Sequence, residues 1–186
     1  MNSSNGIPAF VADDIFSGMT QNLLLIKKFE KNEDGLFKAM QGEMPKLLSS
    51  MRYGGKISGS FISYTTKILD KEAEVRVFLT KKSQIVYAII IEWNKFSMGE
   101  GGDTRSAIIK SLNNKYGEEE MFFNSKEVTE SFVAASIWKP NKRAEITCFA
   151  GVTEQMGIRT VLTYIDTYYL EINKKESKPA TKTDKL

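Results

Sequence analysis

QIVYAIIIEW, residues 84–93, is the stretch of sequence that decides the fold. From Ile85 to Ile91 the apolar residues occupy consecutive positions, so both faces of an extended chain are hydrophobic here. Such a run is typical of a strand at the centre of a sheet that is covered on both sides. It is also far shorter than the roughly 20 apolar residues that a membrane-spanning helix needs. We therefore predict a buried central strand and no membrane span.

Five further stretches read as strands, two before this one and three after it. They are rich in β-branched and aromatic residues and are bounded by turn residues. The stretches are 56–69, 74–80, 132–138, 143–151 and 158–166. The four polar residues KKSQ between the second and third strands indicate a short hairpin connection. Six strands in two groups of three predict two antiparallel meanders.

A helix is predicted before each group of strands. Residues 34–54 and 103–117 carry apolar side chains at spacings of three and four, which is one face of a helix. Each stretch ends in a basic residue, a tyrosine and a glycine, and glycine is a common helix stop. This repetition suggests an αβββ duplication with repeats 34–93 and 103–166. The alternative is two unrelated helices that end in the same common way.

The predicted fold is thus α+β: an antiparallel sheet of about six strands as two three-stranded meanders, each preceded by a helix. We expect a single domain over residues 15–172, a flexible N-terminus at 1–14 and a disordered lysine-rich tail at 173–186. The tail holds five lysines against two acids, which accounts for the net charge of +3 of the 186-residue chain. The body is therefore neutral, which argues against a nucleic-acid-binding face because such faces need clustered Lys and Arg.

The composition excludes the commonest catalytic schemes. The chain has no histidine and a single cysteine, Cys148, which alternation places on an apolar face. We therefore expect no catalytic residues, no metal site, no cofactor and no internal disulfide. The glycine-rich stretch 97–104 lacks the Gly-Lys-Ser/Thr of a phosphate loop and is predicted to be a loop with a helix N-cap. A histidine-free enzyme that uses carboxylates is the remaining catalytic alternative.

Aromatic and arginine residues are the best candidates for a binding surface, since Trp, Tyr and Arg are favoured at interaction hot spots. The candidate partner-binding residues are Trp93, Phe96, Trp138, Arg143 and Tyr164. The alternative interpretation is that the two tryptophans close the two ends of the core.

The order of elements over residues 34–166 resembles that of the β-lactamase inhibitor protein family, with its tandem helix-plus-sheet design. The resemblance covers element order and includes no shared motif. It implies a concave sheet surface that binds another protein.

We therefore hypothesise a non-enzymatic protein-binding module that acts through an exposed sheet face. Its partner would be another protein or a second copy of the chain, and a bacterial, periplasmic or secreted protein is favoured over a cytoplasmic one. One alternative is a cytosolic chaperone or adaptor that grips its client with the methionine-rich helix of Met40, Met44 and Met51. Another is a small-ligand carrier, which would require an apolar cavity.

Overall fold

One antiparallel sheet flanked by two helices forms the described part of the chain in a computed structural model. The structure describes residues 8–12, 14–20, 23, 39–40, 57, 61–96, 98–122, 132–152 and 158–178. In chain order the elements are β1 (Val11–Ala12), β2 (Ile15–Phe16), β3 (Ala39–Met40), β4 (Phe61–Ile68), β5 (Lys71–Leu79), β6 (Val86–Phe96), α1 (Met98–Tyr116), β7 (Glu120–Phe122), β8 (Phe132–Trp138), β9 (Ala144–Val152), β10 (Ile158–Asp166) and α2 (Thr167–Ser177).

The strand order of the sheet is β3-β4-β5-β6-β10-β9-β8-β7, and each neighbouring pair is antiparallel. The six long strands β4, β5, β6, β8, β9 and β10 coincide with the six that the sequence predicts, and two short strands lie at the edges. At the centre β6 pairs with β10, so that Ile91 lies opposite Leu162. The α+β class, the antiparallel sheet and the central position of β6 are confirmed.

The two faces of the sheet are covered by different elements. One face, the α1 face, carries Ile91 and Trp93 of β6 and packs against Ile108 and Leu112 of α1. The short ribbon of β1 and β2 joins this same core through Ile15 and its neighbours. The opposite face, the α2 face, carries Tyr87, Ala88 and Ile90 of β6 and packs against α2 through Leu170 and Tyr169. Each face therefore has its own hydrophobic core.

Helix α1 begins earlier than the sequence predicts, because residues 98–104 are helical rather than a loop with an N-cap at Asp103 or Thr104. Glycine disfavours a helix interior, which is why three glycines here indicated a loop. Packing explains the difference: at Gly101 an added Cβ would collide with the side chain of Ile158 in β10. The glycine lets α1 lie close to the sheet. The predicted stop is confirmed, since α1 ends at Tyr116 and Gly117 has a φ of 90°.

The helix predicted over 34–54 lies outside the described residues except at Ala39 and Met40. These two residues are extended and pair with Ile62 and Phe61 of β4. The helix prediction is therefore wrong at these two positions. Their backbone pairs with the edge of the sheet although the spacing of apolar side chains favours a helix.

Described residues near both ends of the chain contact the rest of the structure. Within 1–14, Phe10 and Ala12 are buried, and Phe10 packs on the ring of Tyr164 with centroids 5.7 Å apart. Within 173–186, α2 continues to Ser177, and the Asn173 side chain accepts a 3.0 Å hydrogen bond from the Lys81 amide. Apolar contacts at Phe10 and Ala12 and the hydrogen bond of Asn173 thus hold these residues against the sheet and its hairpin.

The contact of Gly101 predicts opposite effects for two neighbouring glycines of α1. We expect Gly101→Ala to lower the free energy of unfolding by about 1–3 kcal/mol, because the methyl group pushes α1 off Ile158. Gly102→Ala is the matched control: it meets no atom within 4 Å and should raise stability by up to about 1 kcal/mol. Urea unfolding of both variants measures the difference, and equal stabilities would contradict the close approach.

Candidate functional site

A cleft of about 320 Å³ lies between α1 and the sheet. Its lining is mostly aliphatic and aromatic and comes from five strand and helix elements and one turn. The described lining residues are Ala12, Lys67, Ile68, Leu69, Ile91, Trp93, Ile108, Ser111, Leu112, Leu162 and Tyr164. A concave, mainly apolar space of this size is typical of a small-molecule site.

Simple spacing places the lining side chains on the same side of each element. In β6 and in β10 the lining residues are two apart, Ile91 with Trp93 and Leu162 with Tyr164, so each pair faces α1. Register puts Ile91 directly beside Leu162 across the central strand pair. The side of the cleft opposite the sheet is lined by one face of α1. Its residues there are Ile108, Ser111 and Leu112, at spacings of three and four.

Trp93 closes the floor of the cleft and is fully buried. Its Nε1–H donates a 3.3 Å hydrogen bond to the Ile68 carbonyl oxygen at the end of β4. Strand β5 lies between β4 and β6, so the indole must reach across β5 to make this bond. The residue of β5 that it passes over is Ala73, which is small and buried. The indole N–H is therefore already satisfied, and its ring offers an apolar surface to the cleft.

Tyr164 is the polar residue deepest in this lining, with 7% of its surface exposed. Burial raises the pKa of its hydroxyl above the usual range, with smaller contributions from Tyr116 and Cys148. The phenol therefore stays protonated at neutral pH. Its ring packs against that of Phe10.

The mouth of the cleft lies beside the β4–β5 hairpin. The turn residues Leu69 and Asp70 both have positive φ, 56° and 57°, as a two-residue type I′ hairpin turn requires. A leucine in this left-handed region is strained, and Leu69 is also 44% exposed. Lys71, next in the chain, donates a 3.4 Å hydrogen bond to the Glu100 carbonyl of α1. The hairpin tip is thus held against the start of α1.

A buried ion cluster lies on the opposite face of the sheet, directly behind the cleft floor. Glu92 stands between Ile91 and Trp93, and its side chain is 1% exposed. It accepts a 2.8 Å hydrogen bond from Arg76 and forms a second ion pair with Arg159. Arg76 in turn donates to both oxygens of Glu74 on its own strand. Two arginines neutralise two carboxylates, which explains how a charged residue is tolerated at the centre of the sheet.

The predicted partner-binding residues do not form one surface. Trp93, Trp138 and Tyr164 are buried on the α1 face, Trp93 and Tyr164 in the cleft. Trp138 lies elsewhere in this core and donates a 2.8 Å hydrogen bond to the Asn113 side chain. The side chain of Phe96 lies outside the described residues.

Arg143 makes its contacts at the start of α2. Its guanidinium donates a 2.6 Å hydrogen bond to Asp166 and lies over the rings of Tyr168 and Tyr169. This hydrogen bond raises the pKa of Arg143 above its ordinary value. Asp166 in turn caps α2 by accepting from the amides of Tyr168 and Tyr169. Arg143 therefore anchors a helix terminus and lies away from the cleft lining.

Cys148 is a buried residue of the same core as Ala144 and Ile146, as the alternation predicts. Burial raises the pKa of its thiol to about 12, so that the thiolate, the reactive form, is not present at neutral pH. Within the described ranges no group of three or more His, Cys, Asp or Glu is arranged to hold a metal ion. In the same ranges no helix is long and apolar enough to cross a membrane.

Comparisons with family models, with curated proteins and with solved structures find no match. The resemblance to the β-lactamase inhibitor protein family therefore rests on element order alone. What the chain does has to be argued from its own residues.

The ion cluster predicts a strong asymmetry between its two carboxylates. We expect Glu92→Gln to lower the free energy of unfolding by about 3–5 kcal/mol, because it leaves two partly buried arginines facing a neutral amide. Glu74→Gln is the matched control: this side chain is 35% exposed, so the expected loss is below about 1 kcal/mol. Urea unfolding at neutral pH compares them. Equal losses would mean that burial does not decide the role of Glu92.

The buried thiol predicts a dependence of stability on alkaline pH. In the folded protein the pKa of Cys148 is raised to about 12 from its ordinary 9.0, so only the unfolded state loses the proton between these values. Stability from this group is complete below pH 9 and falls as the pH rises, by at most about 1.4 kcal/mol per unit. Cys148→Ala should show a shallower decline from pH 9 to 11 in urea unfolding. Parallel curves for the two proteins would refute this account.

Proposed function

We propose that this protein is a non-enzymatic binding protein whose cleft beside α1 holds a small, largely apolar molecule. The observation that carries the proposal is the space of about 320 Å³ between Ile91, Trp93 and Leu162 below and the stripe of α1 above. Ligand sites commonly span about 300–1,000 Å³ and are lined mainly by apolar side chains with few polar groups. This cleft fits the lower end of that range.

The volume limits the size of the occupant. An apolar cavity of about 150 Å³ is known to hold one benzene ring. A space of about twice that volume accommodates roughly two fused rings, on the order of a dozen non-hydrogen atoms. We therefore propose a compact molecule rather than a long acyl chain or a peptide segment.

The chemistry of the lining favours binding over catalysis. Among the described lining residues none is an acid, a histidine or a cysteine, so neither a Ser-His nor a Cys-His pair is present beside Ser111. Tyr164 is kept protonated by burial, and Lys67 is exposed at the mouth. The carboxylates Glu74 and Glu92 face the opposite side of the sheet and are engaged by arginines.

The protein-binding hypothesis remains a prediction with a weaker basis. Trp93, Trp138 and Tyr164 are buried, so they are not an aromatic surface for a protein partner. The chaperone alternative rests on a methionine-rich helix that lies outside the described residues, apart from Met40 in β3. The cleft is therefore the better-supported site.

We also propose that the sheet arose by duplication of a three-stranded meander. Read outward from the central β6–β10 pair, the order is β6, β5, β4 and then short β3 on one side. On the other side it is β10, β9, β8 and then short β7. The three long strands of the two halves occupy corresponding places in this order, which supports a repeat of the meander. The short strands do not correspond in the predicted repeat, because β3 precedes the first basic-Tyr-Gly stretch and β7 follows the second.

A substitution that fills the cleft should abolish ligand binding without unfolding the protein. Ser111 lines the cleft from the exposed side of α1, so Ser111→Phe places a ring in the entrance at little cost to the core. We expect at least a tenfold loss of affinity for naphthalene, measured by ligand-observed NMR.

Ser106→Phe is the matched control for this test. Ser106 is an exposed serine of the same helix that is not among the described lining residues. It should leave naphthalene binding unchanged. Equal binding to Ser111→Phe and to the wild-type protein would show that naphthalene does not occupy the cleft.

A further inference from the structure

Leu69 is an unusual residue for its position in the β4–β5 hairpin. The two-residue turn needs positive φ at both of its central residues, and these are Leu69 with 56° and Asp70 with 57°. Asn, Asp and Gly adopt this left-handed conformation readily, whereas a leucine is strained in it. Asp70 therefore suits the turn, and Leu69 does not.

Packing within the protein does not compensate for this strain. Leu69 is 44% exposed, and neither hydrophobic core of the described residues includes it. A single exposed leucine is common on protein surfaces and has no functional meaning by itself. A leucine that is both exposed and left-handed is different, because little burial offsets the loss of stability. Strained backbone conformations of this kind cluster at ligand-binding sites.

The position of Leu69 offers a reason for the strain. Leu69 lines the cleft at its mouth, next to Ile68. The hairpin tip that carries it is held against α1 by the 3.4 Å hydrogen bond from Lys71 to the Glu100 carbonyl oxygen. A molecule that enters the cleft therefore meets an apolar side chain whose backbone is fixed by the turn and by this hydrogen bond.

We propose that Leu69 is a ligand-contacting residue that covers the apolar ring system of a bound molecule at the mouth of the cleft. This inference rests on the proposed function and adds a residue that sets the affinity. The apolar surface of Leu69 that faces water in the free protein becomes buried against the ligand, which strengthens binding. Because the contact is apolar, the part of the ligand that lies at the mouth is apolar as well.

Leu69→Asn separates the effect on stability from the effect on binding. Asparagine is similar in size and adopts the left-handed conformation readily, but its amide makes a poor apolar contact. We expect this variant to raise the midpoint of urea unfolding by about 0.5 M, because the strain is relieved. Its affinity for naphthalene should fall about three- to tenfold, as the loss of part of a buried leucine side chain allows. A purely structural role would not change stability and binding in opposite directions.

Two variants control for the turn and for the side chain. Asp70→Gly changes the other left-handed residue of the turn, which is exposed and is not among the described lining residues. It should raise the urea midpoint and leave naphthalene binding unchanged. Leu69→Met keeps an apolar side chain of similar volume at the mouth, so it should keep the affinity of the wild-type protein.

NMR also tests the contact directly. The methyl signals of Leu69 are identified as those absent from Leu69→Asn, and in the wild-type protein they should show nuclear Overhauser effects to the protons of naphthalene. These effects should vanish in Ser111→Phe, in which the entrance is filled.

The possible results separate this inference from the proposed function. Weaker binding and higher stability in Leu69→Asn, together with methyl contacts to naphthalene, support the inference. Unchanged affinity or a lower urea midpoint in Leu69→Asn, an equal loss of affinity in Asp70→Gly or in Leu69→Met, or absent methyl contacts would overturn the role of Leu69 and leave the cleft as the proposed site. If naphthalene does not bind the wild-type protein, the proposed function itself fails.

Discussion

The fold depends on the need to cover strand β6 from both sides. Ile89 and Ile91 face α1, and Ile90 faces α2, and all three are buried. A sheet with such a strand at its centre cannot leave either face in water, because the cost of exposing so much apolar surface exceeds the net stability of a typical domain. The two helices and the N-terminal ribbon therefore serve one purpose, because together they cover the centre of the sheet on both faces.

The cleft follows from the way in which the α1 face is covered. A helix is a cylinder and a twisted sheet is a saddle, so their contact is close at one place and open at another. At Gly101 the backbone of α1 lies against Ile158, and further along the helix the gap opens above Leu162 and Tyr164. The close contact fixes the position of the helix, and the gap forms the cleft that we propose as a ligand site. A binding site with few polar atoms can thus arise from packing geometry alone.

The sequence predicts the strands well and the site only in part. Alternation and turn residues are local signals, and all six long strands follow from them. The start of α1 does not, because the reason for Gly101 is a contact with Ile158, a residue distant in sequence. The sequence predicts Tyr164 as an aromatic binding residue, but its burial depends on strand pairing and on the helix above it. The sequence does not predict the left-handed conformation of Leu69, because a turn of this type usually contains Asn-Gly.

The pairing of β6 with β10 also determines when the protein can fold. These central neighbours are far apart in the chain, so during synthesis β6 emerges long before the strand that completes it. Until residue 166 has left the ribosome, β6 has one exposed edge and is among the most apolar segments of the chain. Pairings of such high sequence separation form slowly, and an unprotected apolar edge is a template for aggregation. Correct folding in the cell thus requires that this edge be shielded until the last strand arrives.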